Sequence, residues 1–215
     1  INAGMQSSAT INVAADGSLN VLTGNPDIGG SRASMALLAA EVLGVPVETV
    51  HPSVVDTDSI GYCDTTGGSR TTLATGGAVI QAAEMLLAEL CKRAAAIWNV
   101  SIEDVEWSDG KATARTGADL ENLMEGTAAT ASAPKVLTLA QLAAMAGATG
   151  GPLCAVASLH AHNAQPSFAV NICDAAVDRE TGKVDILRYT CIQDAGKAVH
   201  PAYVEGQMQG GAVQG

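Results

Sequence analysis

The sequence predicts an α+β fold: a two-layer, mixed β-sheet with helices packed on one face. Three observations lead there. Short segments alternate apolar and polar residues, as half-buried strands do, and turn residues join some of them into hairpins. Strand, glycine-rich loop and helix follow one another twice. A long central stretch carries apolar residues at helical spacing.

The elements follow in order. Residues 9–14 alternate, Asp16 and Gly17 turn the chain, and residues 19–22 return as a second strand. The loop Gly24-Asn-Pro-Asp-Ile-Gly-Gly30 comes next, with Ser31 as helix N-cap candidate. Met35, Leu38, Ala39 and Val42 repeat at helical spacing until Gly44 and Pro46 stop the helix. Residues 49–55 read as a strand and residues 56–71 as a second loop, which holds Gly67-Gly-Ser-Arg-Thr-Thr72. The longest helix is expected over 73–99. Its apolar stripe is Val79, Ala83, Leu86, Leu87, Leu90, Ala94 and Ile97, and Glu89 and Arg93 form an i,i+4 pair on it.

Residues 102–114 read as a hairpin around Asp109 and Gly110. Residues 115–135, rich in small residues and without periodicity, read as a mobile loop. Thr138 caps a short helix over 139–145. Residues 154–159 and 168–172 are strands, and residues 177–184 turn into another over 185–191. A glycine-rich tail follows, with a helix opening near Pro201.

The 215 residues suffice for a real core. A hydrophobic share of 47% against 15% charged excludes a disordered chain. With six aromatic residues, the core must be built from Ala, Val, Leu, Ile and Met. The net charge of −11 argues against nucleic-acid partners and against an anionic membrane surface. No signal-peptide pattern opens at Ile1. Residues 136–173 contain no Asp, Glu, Lys or Arg, yet glycines, prolines and polar residues interrupt them. They are expected to be soluble and unusually buried, at a subunit interface, and not to insert in a membrane. Cys63, Cys91, Cys154, Cys173 and Cys191 are odd in number and lack Cys-x-x-Cys spacing, so buried, reduced thiols are expected and a zinc site is not. A cytoplasmic location follows, with the periplasm left open.

The strings Gly29-Gly30-Ser31-Arg32 and Gly67-Gly68-Ser69-Arg70 each precede a helix. Glycines let backbone N–H groups converge, a helix N-terminus adds partial positive charge, and Arg can grip a phosphate through two bonds. Anion binding and ordinary turns before capped helices both fit these strings. Neither loop is a Walker A loop or a Gly-x-Gly-x-x-Gly fingerprint. Six residues separate Cys63 from Arg70, one more than a cysteine-phosphatase loop has, which sets that reading aside. His160 and His162 share a face of a strand; buried or interface histidines are favoured there over a metal pair. For Asp56, Asp58 and Asp64, hydrogen bonding within the loop is favoured over a cation site.

These residues carry a resemblance. Gly24-Asn-Pro-Asp-Ile-Gly-Gly-Ser-Arg-Ala-Ser34, Asp56-Thr-Asp58 with Thr66-Gly-Gly-Ser-Arg-Thr-Thr72, Val177-Asp-x-x-Thr-Gly-Lys-Val184, and Asp194-x-Gly-Lys-x-x-x-Pro201-x-x-x-Glu-Gly-Gln207-x-x-Gly-Gly occur in this order. Together they resemble the large, molybdopterin-binding subunit of the xanthine dehydrogenase / aldehyde oxidase family, over nearly the whole chain. The resemblance implies a molybdenum hydroxylase, which places water-derived oxygen on an N-heterocycle or aldehyde carbon. It implies molybdopterin with molybdenum, in the cytosine dinucleotide form, and FAD and iron–sulfur clusters on partner domains or subunits. Its implied partners are the rest of the large subunit, those redox subunits and a small-molecule substrate. It implies cofactor contacts at Gly29, Gly30, Ser31 and Arg32, at Thr66, Gly67, Gly68, Ser69, Arg70, Thr71 and Thr72, and at Gln207.

The chain also departs from the family pattern. Relatives have Gly-Gln-Gly in the first loop, whereas Gly29 is followed here by Gly30 and Ser31, so that the Gln is missing or the loop is one residue shorter; His200 stands where relatives have an Asn before the proline. The family's Gly-Gly-Phe-Gly-Gly loop and its Gly-Glu, the general base, are absent from these 215 residues. Glu205 precedes Gly206 and Gln207 at a position that is not catalytic in the family. Residues 1–215 are therefore expected to be an internal fragment without its own catalytic residues or metal ligands. The alternative is a non-enzymatic anion-binding or assembly module that kept the loops and lost the chemistry.

Overall fold

The computed structural model describes residues 5–115, 135–162 and 166–215. It divides into two compact units, Ile1–His162 and Asn163–Gly215. The expected mobile loop at 115–135 lies outside the described residues apart from its two end positions.

The first unit runs β1 (Gln6–Val13), β2 (Leu19–Thr23), α1 (Ser31–Leu43), β3 (Val50–Val54), α2 (Thr71–Trp98), β4 (Val105–Ser108), β5 (Lys111–Ala114), β6 (Val136–Thr138), α3 (Leu139–Ala144), α4 (Ala146–Thr149) and β7 (Cys154–His160). The main sheet has the order β3-β2-β1-β7. β1 is antiparallel to both neighbours, whereas β2 and β3 are parallel, with α1 as the crossover between them. Register puts Ile11 opposite Val21 and Ala155, and Ala9 opposite Thr23 and Ala157, all buried. α1 and α2 cover that face, so the mixed sheet with helices on one face is as expected.

A second, antiparallel sheet, β4-β5-β6, packs on α2. The sequence reading did not separate it, because β6 is three residues long and shows no alternation. Asp109 (φ 49°) and Gly110 (φ 69°) turn its hairpin as expected. Trp107 Nε1 donates to the Leu43 carbonyl at 2.9 Å and ties this sheet to the end of α1. The β1–β2 turn approaches α3 closely. Gly17 has φ +86°, and a Cβ there would lie 2.7 Å from Ala140 N.

The helix boundaries correct two expectations. Gly30 (φ 75°), not Ser31, is the N-cap of α1; Ser31 is the first helical residue, and its hydroxyl accepts from Ile28 N–H at 3.3 Å. α2 starts at Thr71, two residues before the expected 73. Gly68 (φ 59°) and Ser69 (φ 58°) make the tight turn that lets Arg70 enter helical geometry early. Thr138 caps α3 with a full capping box to Gln141. The apolar stripe of α2 is core, with Val79, Ala83, Leu86, Leu90 and Ala94 fully buried. By length and composition α2 could cross a membrane, but half of its most apolar window is buried within the fold. Arg93 pairs with Glu89 at 2.6 Å and reaches the Thr149 hydroxyl at 3.3 Å.

The second unit is a hairpin, β8 (Ala169–Val177) and β9 (Val184–Gln193), followed by α5 (Pro201–Gln214) with proline in its first turn. Asp178 Oδ1 accepts from Glu180 N–H and Thr181 N–H, and Gly182 (φ 72°) completes the turn.

Within this chain, burial meets two expectations only in part. Within 136–173, residues such as Leu137, Leu142 and Ala155 are buried, but residues 166–173 are exposed. All five cysteines are free, and within this chain only Cys91 is buried. Cys154 falls on the outer face of β7, and Cys173 and Cys191 lie on the exposed hairpin.

Candidate anion-binding site at the two glycine-rich loops

The two loops meet beside β1. β2 ends at Thr23, opposite Ala9, so the backbone of Gln6 and Ser8 has no strand partner on that side. The second loop takes its place. Asp64 N–H donates to the Gln6 carbonyl (3.0 Å), Gln6 N–H to Asp64 Oδ2 (3.1 Å), and Ser8 N–H to Cys63 Sγ (3.3 Å). Tyr62 O–H donates to Asp64 Oδ1 at 2.6 Å. That bond, and then the Gln6 N–H, hold the Asp64 carboxyl below the ordinary carboxylate range.

The two Gly-Gly-Ser-Arg strings behave differently. In the first, Gly29 (φ 62°) and Gly30 (φ 75°) swing the chain into α1. Asp27 lies across that helix start: its carboxylate accepts Arg32 N–H (3.0 Å) and pairs with Arg32 Nε (3.2 Å). A carboxylate belonging to the chain thus already sits where a helix N-terminus favours an anion. The Arg32 side chain is half exposed.

In the second, Arg70 points inward and is 5% exposed. Its guanidinium donates to the carbonyls of Asp64 (2.8 Å) and Gln6 (2.6 Å) and to Ser7 Oγ (2.7 Å). These hydrogen-bond partners are neutral, and the Asp64 carboxylate nearby feels the Arg70 charge, which helps to hold its carboxyl down. Arg70 Nε and the buried Thr71 Oγ1 have no hydrogen-bond partner. No side chain caps α2, and no acidic residue stands in its first turn. Its first N–H groups, unpaired within any helix, add to the Arg70 charge. A Cβ added at Gly67 or Gly68 would meet nothing within 4 Å, so the loop presents open backbone. The orphaned Thr71 hydroxyl, the Arg70 cation and the open backbone suit a phosphate-class anion.

Asn25 joins the loops. It is 4% exposed. Its amide N–H groups face the Asp64 carbonyl (3.2 Å) and Thr66 Oγ1 (3.3 Å). Its Oδ1 accepts from Thr75 O–H (2.5 Å), with Ser7 Oγ 3.5 Å away. Sequence reasoning missed Ser7, Asn25 and Thr75. The available signal was polarity in inward positions: Ser7 shares the face of Ala9 and Ile11, and Thr75 stands one turn before Val79 in the apolar stripe.

The second loop therefore meets the first at Asn25, while Ser31 and Arg32 bond to Pro26, Asp27 and Ile28 of their own loop. Gln207 belongs to the second unit, exposed on α5. Asp56 accepts from Asp58 N–H and from Ser59 O–H, the loop bonding expected of it. The rings of His160 and His162 lie 4.7 Å apart, and both residues are exposed within this chain, as interface histidines would be. Among the described residues no three His, Cys, Asp or Glu side chains cluster as metal ligands. Cys63 accepts from Ser8 N–H while the Arg70 guanidinium faces Gln6, Ser7 and Asp64, which is not a phosphatase arrangement.

Known proteins supply the context. The sequence model of a family described as "Molybdopterin cofactor-binding domain" matches residues 1–215. The carbon monoxide dehydrogenase large chain of Hydrogenophaga pseudoflava is 28% identical over 222 residues, covering 100% of this chain and 26% of that protein. The xanthine dehydrogenase molybdenum-binding subunit of Escherichia coli O157:H7 is 28% identical, covering 93% and 25%. Among solved structures, reconstituted CO dehydrogenase from Oligotropha carboxidovorans superposes with a TM-score of 0.78 at 25% identity, covering 95% of this chain and 24% of that one. The chain spans about a quarter of the length of these relatives.

Proposed function

Because the chain belongs to the molybdopterin cofactor-binding domain family, we propose that it forms part of the cofactor seat in the large subunit of a molybdenum hydroxylase of the xanthine dehydrogenase / aldehyde oxidase type. The observation that carries this is Arg70: a buried cation with neutral partners, just before the uncapped start of α2 and beside the orphaned Thr71 hydroxyl. A cation, the free N–H groups of a helix start and an unpaired hydroxyl together favour an anion there.

In this reading the second loop holds the anionic part of the cofactor, a pyrophosphate in the cytosine dinucleotide form. Thr66, Gly67, Gly68, Ser69, Thr71 and Thr72 offer backbone N–H and hydroxyl donors. Arg70 acts from behind: it pins the loop to β1 and contributes charge without reaching out. In the first loop, Gly29 and Gly30 shape the approach beside Ser31, while Arg32 stays paired with Asp27. Gln207, in the second unit, remains a proposed cofactor contact on the family resemblance alone.

When bound, the cofactor supplies redox and oxygen-transfer chemistry, which the protein positions. The reaction is water-derived hydroxylation of an N-heterocycle or aldehyde carbon. The rest of the large subunit, and domains or subunits with FAD and iron–sulfur clusters, complete the enzyme. A cytoplasmic location fits five free cysteines.

The test is molybdenum analysis and acid release of nucleotide on the full-length subunit in its native complex. Stoichiometric molybdenum and cytidine nucleotide are expected. Neither, from a host that makes the cofactor, overturns the reading and favours the non-enzymatic module.

A further inference from the structure

The bonds around Asn25 run in one direction. Arg70 can only donate, and it donates to Ser7 Oγ at 2.7 Å. Ser7 and Thr75 lie 3.0 Å apart, oxygen to oxygen. The Thr75 hydroxyl donates to Asn25 Oδ1 at 2.5 Å, so its remaining lone pairs face Ser7 and Ser7 is the donor between them. The amide of Asn25 is fixed by the Asp64 carbonyl, which can only accept: the NH₂ must face it. The same NH₂ then donates to Thr66 Oγ1 at 3.3 Å. Ser7, Thr75 and Asn25 are all buried, so water does not compete for these bonds.

We propose that this polarised chain, from Arg70 through Ser7, Thr75 and Asn25, makes the Thr66 hydroxyl a dedicated donor to the anion. Its oxygen already accepts from Asn25, so its own proton is left for a ligand. Donors aligned head to tail polarise one another, and the Arg70 charge sets their sense. Asn25 is thus a positioning residue: it acts on the anion through Thr66. This rests on the second loop being an anion seat.

The experiment uses the full-length subunit in its complex. Cofactor-free protein is titrated with inorganic pyrophosphate and followed by thermal shift, and nucleotide content is measured on the loaded protein. Thr66→Val removes the donor, and weakening of pyrophosphate binding by about tenfold or more is expected, the usual worth of a hydrogen bond to a charged group. Thr66→Ser keeps the donor and should bind as wild type does. Asn25→Asp replaces the NH₂ by acceptors, draws the Thr66 proton inward, and should weaken binding at least as much as Thr66→Val. Should Asn25→Asp fail to fold, the two Thr66 variants still decide. Pyrophosphate binding by Thr66→Val equal to that of Thr66→Ser overturns the chain, as does wild-type binding by a folded Asn25→Asp protein. Wild-type subunit that carries no nucleotide and binds no pyrophosphate overturns instead the function on which the chain rests.

Discussion

Arg70 Nη2 donates to the carbonyl of Gln6 at 2.6 Å, across 64 positions of sequence. With the bond to the Asp64 carbonyl, it makes one side chain the tie between the second loop and the central strand. Arg70→Met removes a charged donor from two partly buried carbonyls. A loss of about 2–4 kcal/mol is expected, together with loss of acid-releasable nucleotide. Thermal unfolding and nucleotide content of the purified complex check both.

Arg32 sits at the same place in its string, and the expectation is the opposite. Its pair with Asp27 is solvent-exposed, so Arg32→Ala should cost no more than about 1 kcal/mol. Nucleotide content should stay at the wild-type level. Nucleotide loss in Arg32→Ala would mean that the first loop also grips an anionic group.

Two glycines separate a fold requirement from a ligand requirement. At Gly17 a side chain meets the Ala140 backbone and must hold a positive φ, so Gly17→Ala is expected to destabilise by at least about 1–3 kcal/mol. At Gly67 a methyl group meets nothing, and stability of the cofactor-free subunit should be unchanged. Gly67→Ala should nonetheless lower pyrophosphate affinity, because the methyl occupies the open face of the loop. Thermal shift with and without pyrophosphate reads both.

The Glu89 carboxyl is held below its ordinary range, first by the hydrogen bond from Arg93. A carboxyl with a depressed folded value stabilises above its unfolded value, near pH 4, and loses that contribution as pH falls through the folded value. The melting temperature should therefore fall on acidification below about pH 4, and Glu89→Gln should flatten part of that slope. Identical profiles for the two proteins between pH 6 and pH 3 would remove the pair from the acid response.

Much of the fold was legible. Alternation located β1 and β2, Asp109-Gly110 located the β4–β5 turn, and Thr138 located the start of α3. Each is a local signal. β6 and the β7–β1 pairing are not, since the partners lie far apart in sequence. Of the site, the loops were visible from their glycines, but the direction of Arg70 was not. Arg32 and Arg70 occupy identical tetrapeptides, and only the unpaired edge of β1 at Gln6 draws one of them inward. Asn25 was hidden because a buried amide leaves no periodic trace.

Gln6 binds Asp64 and Arg70 through its backbone N–H and carbonyl alone. Any residue except proline supplies both groups. Evolutionary drift at this position can therefore replace the glutamine side chain without loosening the loop. Across diverged relatives, the anchor of the anion seat would survive as geometry while its letter in the alignment changes.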